Sequence, residues 1–242
     1  MKLPLIIVMI FQLIVMPACA GIMAATTRVI YPADAREKSL MVVNTNPYPV
    51  ILQTWVDQGA GDPETAKAAF ISLPPVFRLE PGEMKGVRII YNHESLPQDR
   101  ESLFWLNLYE IPPEKKEKGQ LASDLLMLMM NTQLKIFYRP EGLILTPEQA
   151  VKKLSFRLLH EGENWFVECH NPGPLHISFT SIMLLNGKQE QDVRQEADMM
   201  VPPFSKRRYP VSALSGPPAE NGRIRFHYLD DNGVLLTHET PL

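Results

Sequence analysis

Short apolar runs alternate with turn signals along the first half of the chain. The runs mix β-branched, aromatic and aliphatic residues, and pairs such as Asn-Pro and Pro-Gly separate them. In order they are TTRVIYP, KSLMVVN, VILQTWVDQ, PPVFRL, KGVRIIYN, ESLFWLNLYEIPP and LLMLMMNTQLKIFYRP. This pattern predicts about seven short strands and favours an immunoglobulin-like sandwich.

A second series of strand-like runs fills the rest of the chain. It follows RPEGLILTPEQAVKK, which two prolines break and which is typical of a connection. KLSFRLLHEGENWFVECHNP then predicts a hairpin that turns at Glu-Gly-Glu-Asn, and GRIRFHYLDDNGVLLTHE predicts another that turns at Asp-Asn-Gly. We therefore predict an all-β fold of two immunoglobulin-like β-sandwich domains, at residues 21–143 and 144–242.

Residues 1–20 have the composition of a cleavable secretion signal. Lys2 supplies the positive charge, residues 5–15 are apolar except for one glutamine, and residues 18–20 supply small side chains for cleavage. The apolar run is shorter than the about 20 residues of a membrane span. Cys19 also leaves open a lipid-modified cysteine, although the residues before it fit that reading poorly. We therefore expect an exported protein.

Composition and motifs argue for a binding protein rather than an enzyme. The chain has 24 Lys and Arg against 27 Asp and Glu, so no basic excess indicates nucleic acid. Cys169 lies in a strand-like run and predicts a buried thiol. With His170 and His176 it offers three ligands, fewer than the about four of a structural zinc site. No nucleophile elbow or phosphate loop is present, so we expect no catalytic residue, no cofactor and no metal.

The last strand-like run of the first half is unusual for an exported protein. Residues 125–130, LLMLMM, are apolar, uncharged and free of proline, and Lys135 follows them among apolar neighbours. At a sheet edge, such a run offers unpaired backbone groups and apolar side chains to another chain. In the centre of a sheet it is buried on both faces. The residues alone leave both positions open.

Four blocks of the first half resemble a known family. TRVIYPA, PPVFRLEPGEMKGVRIIYN, LPQDRESLFWLNLYEIPP and LKIFYRP match, in order, the periplasmic pilus-assembly chaperones of the PapD type, and HYLDDNG extends the match more weakly into the second half. The resemblance implies two immunoglobulin-like domains in a boomerang arrangement with an inter-domain cleft. It implies a non-enzymatic periplasmic chaperone that binds, folds and caps pilus subunits by donor-strand complementation and delivers them to an outer-membrane usher.

The resemblance also assigns roles to individual residues. Arg28 and Lys135 match two cleft cations that anchor the C-terminal carboxylate of the subunit. The alternating donor-strand residues that fill the subunit's missing strand are Leu126, Leu128 and Met130. The intervening residues are also apolar, which leaves the face of each ambiguous.

Two further expectations concern geometry. Strict alternation places Lys135 on the face opposite Met130, so we expect a bulge or twist near residues 131–133 to aim both at one ligand. Glu101, Arg139 and Asp231 match an inter-domain ion network of the family, which orients the two domains.

Some features separate this chain from other members. The region between Glu110 and Leu125 is short and lacks a cysteine pair, which resembles the short-loop branch. The disulfide that members often carry near the C-terminus is absent. An open sheet edge would also allow the free protein to self-associate.

The alternative is a secreted β-sandwich adhesin or carbohydrate-binding module, a class that usually presents aromatic residues on loops. All three tryptophans, Trp55, Trp105 and Trp165, lie inside strand-like runs. That position predicts core side chains rather than a binding platform. The pattern of tryptophans therefore favours the chaperone.

Overall fold

A computed structural model describes residues 21–64, 68–113, 128–162, 164–186, 189–211 and 222–242. The predicted signal peptide, residues 1–20, and the predicted donor residue Leu126 lie outside the described residues. No helix in these ranges is long and apolar enough to cross a membrane.

The first half of the chain folds as a sandwich of two sheets. Its strands are β1 (Ile22–Ala24), β2 (Arg28–Pro32), β3 (Lys38–Asn44), β4 (Val50–Asp57), β5 (Phe70–Leu73), β6 (Val76–Leu79), β7 (Met84–Tyr91), β8 (Ser102–Ile111) and β9 (Met130–Arg139). One sheet has the order β2-β9-β8-β4-β6 and the other β1-β3-β7-β5. Along β4, Val50, Leu52 and Val56 are buried while Ile51 is exposed. This two-residue period is that of a strand with one face on a core.

The chain changes sheets between β1 and β2. β1 pairs antiparallel with β3, whereas β2 pairs parallel with β9 in the other sheet. In the parallel pair, Arg28 lies directly opposite Lys135. This crossing places the first residue of β2 beside the middle of β9.

The second half of the chain forms a separate set of sheets around its own core. Its strands are β10 (Ser155–Glu161), β11 (Asn164–Asn171), β12 (Ile177–Asn186), β13 (Gln189–Asp192), β14 (Met200–Val201), β15 (Ser205–Pro210), β16 (Arg223–Leu229) and β17 (Leu235–Pro241). The sheets have the orders β10-β11-β15 and β13-β12-β16-β17, with β14 added beside β12. Both predicted hairpins are present, β10 with β11 and β16 with β17. The all-β, two-domain fold is the one that the sequence predicts.

The predicted connection contains a short helix, α1 (Pro147–Val151). The Thr146 hydroxyl accepts a hydrogen bond from the Gln149 amide, and the Gln149 side chain accepts one from the Thr146 amide. This reciprocal pair is a capping box, which satisfies amides that the first helical turn leaves unpaired. Ala150 and Val151 then pack into the core of the second half.

The prediction that the tryptophans are core residues is wrong. Trp55, Trp105 and Trp165 lie in strands, but each is only half-buried. Alternation explains this, since the neighbours on either side of Trp105, Phe104 and Leu106, take the core positions of β8. The indole of Trp165 instead stacks on His160, with ring centroids 4.3 Å apart.

Cys169 is fully buried on β11, as predicted, and burial raises the pKa of its thiol to about 12. The native thiol is therefore almost wholly protonated at pH 8, and the thiolate is the reactive form. Because the native pKa lies above that of the unfolded chain, the buried thiol contributes stability that is fully present below the unfolded pKa. This stability is lost as the pH rises from the unfolded pKa through the native pKa of about 12.

We expect the native protein at pH 8 to resist a thiol reagent such as iodoacetamide and the urea-unfolded chain to react within minutes. Mass spectrometry of the labelled protein measures both. Rapid labelling of Cys169 itself in the native protein would contradict the buried position.

Candidate functional site

The two faces of β9 contact different parts of the molecule. Its register with β8 is unbroken from Met130 opposite Glu110 to Tyr138 opposite Ser102. Of the bulge or twist predicted near residues 131–133, the bulge is therefore wrong. Asn131 and Gln133 both donate to the Asn107 side-chain oxygen, at 3.0 and 2.9 Å, and these bonds hold the strand in regular register.

One face of β9 continues the core of the first half. Leu134, Ile136 and Tyr138 are buried in that core. Met130 has the same parity, yet it is 56% exposed because it lies beyond the packed core. Met129 faces the other way, where its sulfur accepts a hydrogen bond from the Tyr109 hydroxyl at 2.8 Å. Leu128, just before the strand, is 71% exposed.

The opposite face of β9 meets the second half of the chain. The Lys135 ammonium contacts the Asp198 carboxylate at 3.0 Å, and the Arg139 guanidinium contacts Asp231 at 2.7 Å. Between them, the Phe137 ring lies against His176, with centroids 5.4 Å apart. Every second residue from Lys135 to Arg139 therefore lines the boundary between the two halves.

One edge of β9 is only partly covered. β8 pairs with one edge from Met130 to Tyr138, whereas β2 pairs with the other edge only from Lys135 to Arg139. Among the described residues, no strand pairs with that second edge at residues 130–134. Backbone groups at an uncovered edge are available to another chain. The exposed residues 128–130, here named the apolar end of β9, adjoin this open edge.

Arg28 and Lys135 project from adjacent parallel strands toward the same cleft. Their backbones lie opposite one another, about 4.8 Å apart by sheet geometry. The Lys135 ammonium lies 5.0 Å from the centre of the Trp105 ring, and the Arg28 guanidinium 5.8 Å from that of Phe137. Burial lowers the pKa of Arg28 below its usual value, against the opposing effect of nearby carboxylates, of which Asp231 is the strongest.

A cavity of about 330 Å³ separates the two halves at this point. It is lined by Arg28, Trp105 and Lys135 on one side and by Ser178 and Asp198 on the other. Among the described residues, two buried side-chain polar atoms lack a hydrogen-bond partner, Arg28 Nε and Ser178 Oγ. Both residues line this cavity, and a buried donor without a partner costs about 1–3 kcal/mol. The wall of this cavity therefore carries two cationic side chains and two unpaired polar atoms.

Glu101, Arg139 and Asp231 lie together as an ion network across the boundary. Arg139 donates two hydrogen bonds to one Glu101 oxygen, at 2.9 and 2.7 Å, and two to the Asp231 carboxylate, at 2.7 and 2.9 Å. The second Glu101 oxygen accepts from the His176 amide at 2.8 Å. Burial opposes the charge of Arg139, but its two carboxylate partners outweigh burial and hold its pKa above the usual value.

The β16–β17 turn approaches the first half closely. Gly233 has φ +79°, and a Cβ at this position would lie 2.7 Å from the Thr27 hydroxyl. Glycine is favoured both because its φ is positive and because the space is small. This contact places Asp231, two residues earlier, within reach of Arg139.

Sequence reasoning missed the polar network beneath β9. Asp57 is almost fully buried and accepts hydrogen bonds from the Gly59 and Gly61 amides and from the Asn107 side chain. Asn107 in turn holds β9. The available signal was Asn107 itself, a polar residue inside the apolar run FWLNLYEI.

Two of the three candidate metal ligands, Cys169 and His176, have other surroundings. Cys169 lies in the core, and the His176 ring contacts Glu101 at 3.3 Å. Within the described ranges, no group of three or more His, Cys, Asp or Glu residues could hold a metal ion.

Comparison with known proteins covers almost the whole described chain. Residues 21–144 match the family described as pili and flagellar-assembly chaperone, PapD N-terminal domain, and residues 149–240 match the pili assembly chaperone PapD, C-terminal domain. The probable fimbrial chaperone YadV of Escherichia coli K12 is 32% identical over 222 residues, which are 90% of this chain and 88% of YadV.

Solved structures agree. The crystal structure of the YadV chaperone matches with a TM-score of 0.77 and 30% identity, over 91% of this chain and 99% of that chain. A chain in the Salmonella enterica structure of SafA pilin with the SafB chaperone matches with a TM-score of 0.73 and 25% identity, over 94% of this chain and 99% of that chain. This chain therefore belongs to the PapD family of pilus-assembly chaperones, which is a family of non-enzymatic proteins.

Proposed function

We propose that this protein captures newly exported pilus subunits by lending them the open edge of β9, and that it delivers them to an outer-membrane usher. The observation that carries this proposal is the uncovered edge at residues 130–134, which adjoins exposed apolar side chains and two cleft cations. Another member of the same fold, SafB, occurs in complex with a pilin, SafA.

The apolar end of β9 supplies the donor side chains. Met130 has the parity of the core residues Leu134 and Ile136, so a subunit that pairs with the open edge receives Met130 in its own core. We assign the same role to Leu128 and Leu126 because they precede Met130 at two-residue spacing in the sequence. Burying one such side chain stabilises a complex by about 1.5–3 kcal/mol.

β2 determines where the added strand ends. It occupies the edge of β9 from Lys135 onward, so a strand that pairs along residues 130–134 must end beside Lys135 and Arg28. If that strand runs parallel to β9, its C-terminal carboxylate is the group that meets the two cations. Arginine binds a carboxylate through two parallel hydrogen bonds, and lysine adds a point charge. The clamp thereby sets the register of every subunit side chain.

Met130 and Lys135 can both contact one subunit strand without a bulge in β9. The donor row and Lys135 lie on opposite faces of one regular strand. A ligand that adds as a strand to the edge also has two faces, so it reaches both without a bend in β9.

The Glu101–Arg139–Asp231 network orients the two domains around the cleft. Its donors and acceptors come from both halves of the chain, and its bidentate geometry restricts their rotation. The cations of the first half thereby face the cavity wall that the second half provides.

Three further features of the proposal rest on the sequence. Residues 1–20 direct export to the periplasm and are then removed. The short region that follows β8 lacks a cysteine pair, which supports the short-loop branch. The exposed apolar end of β9 supports self-association of the free protein, since such an edge is otherwise an aggregation site.

The experiment that tests this function is co-expression in a periplasm with candidate pilus subunits, followed by pull-down and mass spectrometry. We expect the wild-type chain to retain a subunit and the Lys135→Ala and Arg28→Ala variants to bind it about 10- to 100-fold more weakly, since each cation contributes a charge-assisted bond of about 1.5–3 kcal/mol.

Lys153→Ala is the matched control, because Lys153 is exposed in the second half, outside the residues that line the cleft. Circular dichroism checks that all variants are folded. Undiminished capture by both cleft variants would contradict the carboxylate clamp, and a chain that binds glycans but retains no subunit would favour the adhesin alternative.

A further inference from the structure

Lys135 already has a carboxylate partner within its own chain. One Asp198 oxygen accepts a hydrogen bond from the Lys135 ammonium at 3.0 Å and another from the Met200 amide at 3.1 Å. The other oxygen lies 3.4 Å from the Arg207 guanidinium. Asp198 therefore presents an anion to Lys135 from the opposite wall of the cleft.

We propose that Asp198 is a built-in competitor for the subunit's C-terminal carboxylate, which occupies Lys135 in the free chaperone and is displaced when a subunit binds. This inference rests on the proposed function, because it assigns a regulator to the same cation. Asp198 is then a specificity-determining residue, because a strand without a terminal carboxylate cannot replace the Asp198 carboxylate at Lys135.

Charge favours displacement over sharing. Asp198 lines the same cavity as Arg28 and Lys135, so a carboxylate that contacts both cations lies close to the Asp198 carboxylate. Two like charges at such a distance repel, most strongly where water is partly excluded. The Lys135 side chain is only 18% exposed, so its surroundings screen this repulsion weakly.

The Asp198 side chain can turn away from Lys135 while the residues around it stay in place. Its side chain is 42% exposed, so water can solvate the carboxylate once it turns away from Lys135. Arg207 keeps three other partners, the Glu196 carboxylate at 2.8 Å, the Met200 carbonyl oxygen at 2.6 Å and the Asp198 backbone carbonyl oxygen. When the Asp198 carboxylate moves, the Met200 amide loses this acceptor, but Arg207 still ties β15 to Glu196 and Met200.

The two cleft cations are not equivalent before binding. Lys135 holds Asp198, whereas Arg28 Nε has no hydrogen-bond partner and Arg28 forms no ion pair among the described residues. A subunit carboxylate thus meets Arg28 without displacing an ion-pair partner and then exchanges with Asp198 at Lys135. Removal of the Asp198 charge should strengthen binding through Lys135 alone.

The test uses a synthetic probe, an acetylated heptapeptide of alternating valine and threonine, with either a free C-terminal carboxylate or a carboxamide. The change in total tryptophan fluorescence reports binding to the full mature chain, because one of its three tryptophans, Trp105, lies beside Lys135. We expect Asp198→Asn to bind the free-acid peptide about 3- to 10-fold more tightly than wild type, and the carboxamide peptide no more tightly.

Glu196→Gln is the matched control. It removes one negative charge from the same loop and disturbs Arg207, but Glu196 does not contact Lys135. We expect it to change the affinity less than about twofold. Asp198→Ser repeats the charge removal with a different side chain, and urea denaturation checks that each variant is folded.

The outcomes separate this inference from the proposed function. Suppose that wild type binds the free-acid peptide, that Lys135→Ala abolishes this binding, and that neither Asp198 variant gains affinity. Asp198 is then not a competitor, but the carboxylate clamp is still supported. A gain that is equal for both peptides also overturns the competitor role. Equal binding of the two peptides by wild type and by Asp198→Asn, or no binding of either, counts against the clamp itself and therefore against both proposals.

Discussion

Replacing Arg139 with alanine is expected to lower the free energy of unfolding by about 3–5 kcal/mol, the usual cost of removing one partner of a buried ion pair. The Arg139 side chain is 16% exposed, and that of its partner Glu101 only 2%. Without Arg139, the Glu101 charge stays in the interior with the His176 amide as a weak substitute. Asp231, at 33% exposure, is rescued in part by water.

Urea denaturation followed by tryptophan fluorescence measures this change. The control is Arg78→Ala, because Arg78 forms an ion pair with Glu80 at 2.9 Å while both side chains are more than half exposed. Such surface pairs contribute about 0–1 kcal/mol. If Arg139→Ala unfolded at the same urea concentration as Arg78→Ala, the network would not hold the two domains together.

A double variant distinguishes two causes of destabilisation, the loss of the Arg139–Glu101 ion pair and the buried Glu101 charge that is left without a partner. In Glu101→Gln with Arg139→Ala, the buried position carries an amide instead of a carboxylate. We expect this double variant to be less destabilised than the sum of the two single changes, because residues in one network do not act additively. Additive effects would indicate that Glu101 is solvated when Arg139 is absent.

Much of the fold could be predicted because its signals are local. The alternation of β4 and the Asp-Asn-Gly turn each lie within a few residues, and the structure contains both elements. Strands β1 and β5 have only three and four residues, too few for a period to show. Helix α1 was missed although TPEQ has the spacing of a capping box, a signal that could have found it.

Residues of the candidate site could be predicted only where they lie within a motif of the family. Arg139 and Asp231 are 92 positions apart, and no periodicity relates them. Asp198 lies 63 positions from Lys135 and was missed altogether, because the resemblance in the second half was too loose to point to it. Long-range ion pairs depend on how two domains pack, which local patterns do not encode.

The expected bulge in β9 failed for a different physical reason. It assumed that Met130 and Lys135 act on one surface of one ligand. The regular register shows that a strand can serve two sides at once, with Met130 in the core-facing row and Lys135 toward the cleft. Asn107, through its bonds to Asn131 and Gln133, opposes the distortion that the bulge would need.

Replacing Met130 with glutamate is expected to abolish subunit capture, a loss of at least about 100-fold, while the free protein stays folded. In the free protein the side chain is 56% exposed, so a carboxylate there is solvated and should change the free energy of unfolding by less than about 0.5 kcal/mol. In the complex, the same carboxylate enters an apolar groove without a partner, which costs several kcal/mol. Leu128→Glu, at 71% exposure, should behave alike.

Met84→Glu is the matched control, because Met84 is 63% exposed on β7 of the other sheet and the substitution is chemically identical. Pull-down with a subunit and urea denaturation together separate capture from folding. Loss of capture by Met130→Glu and Leu128→Glu, with normal capture by Met84→Glu, supports the donor row. Normal capture by all three would show that the apolar end of β9 is not what the subunit receives, and the uncovered edge would then need another partner.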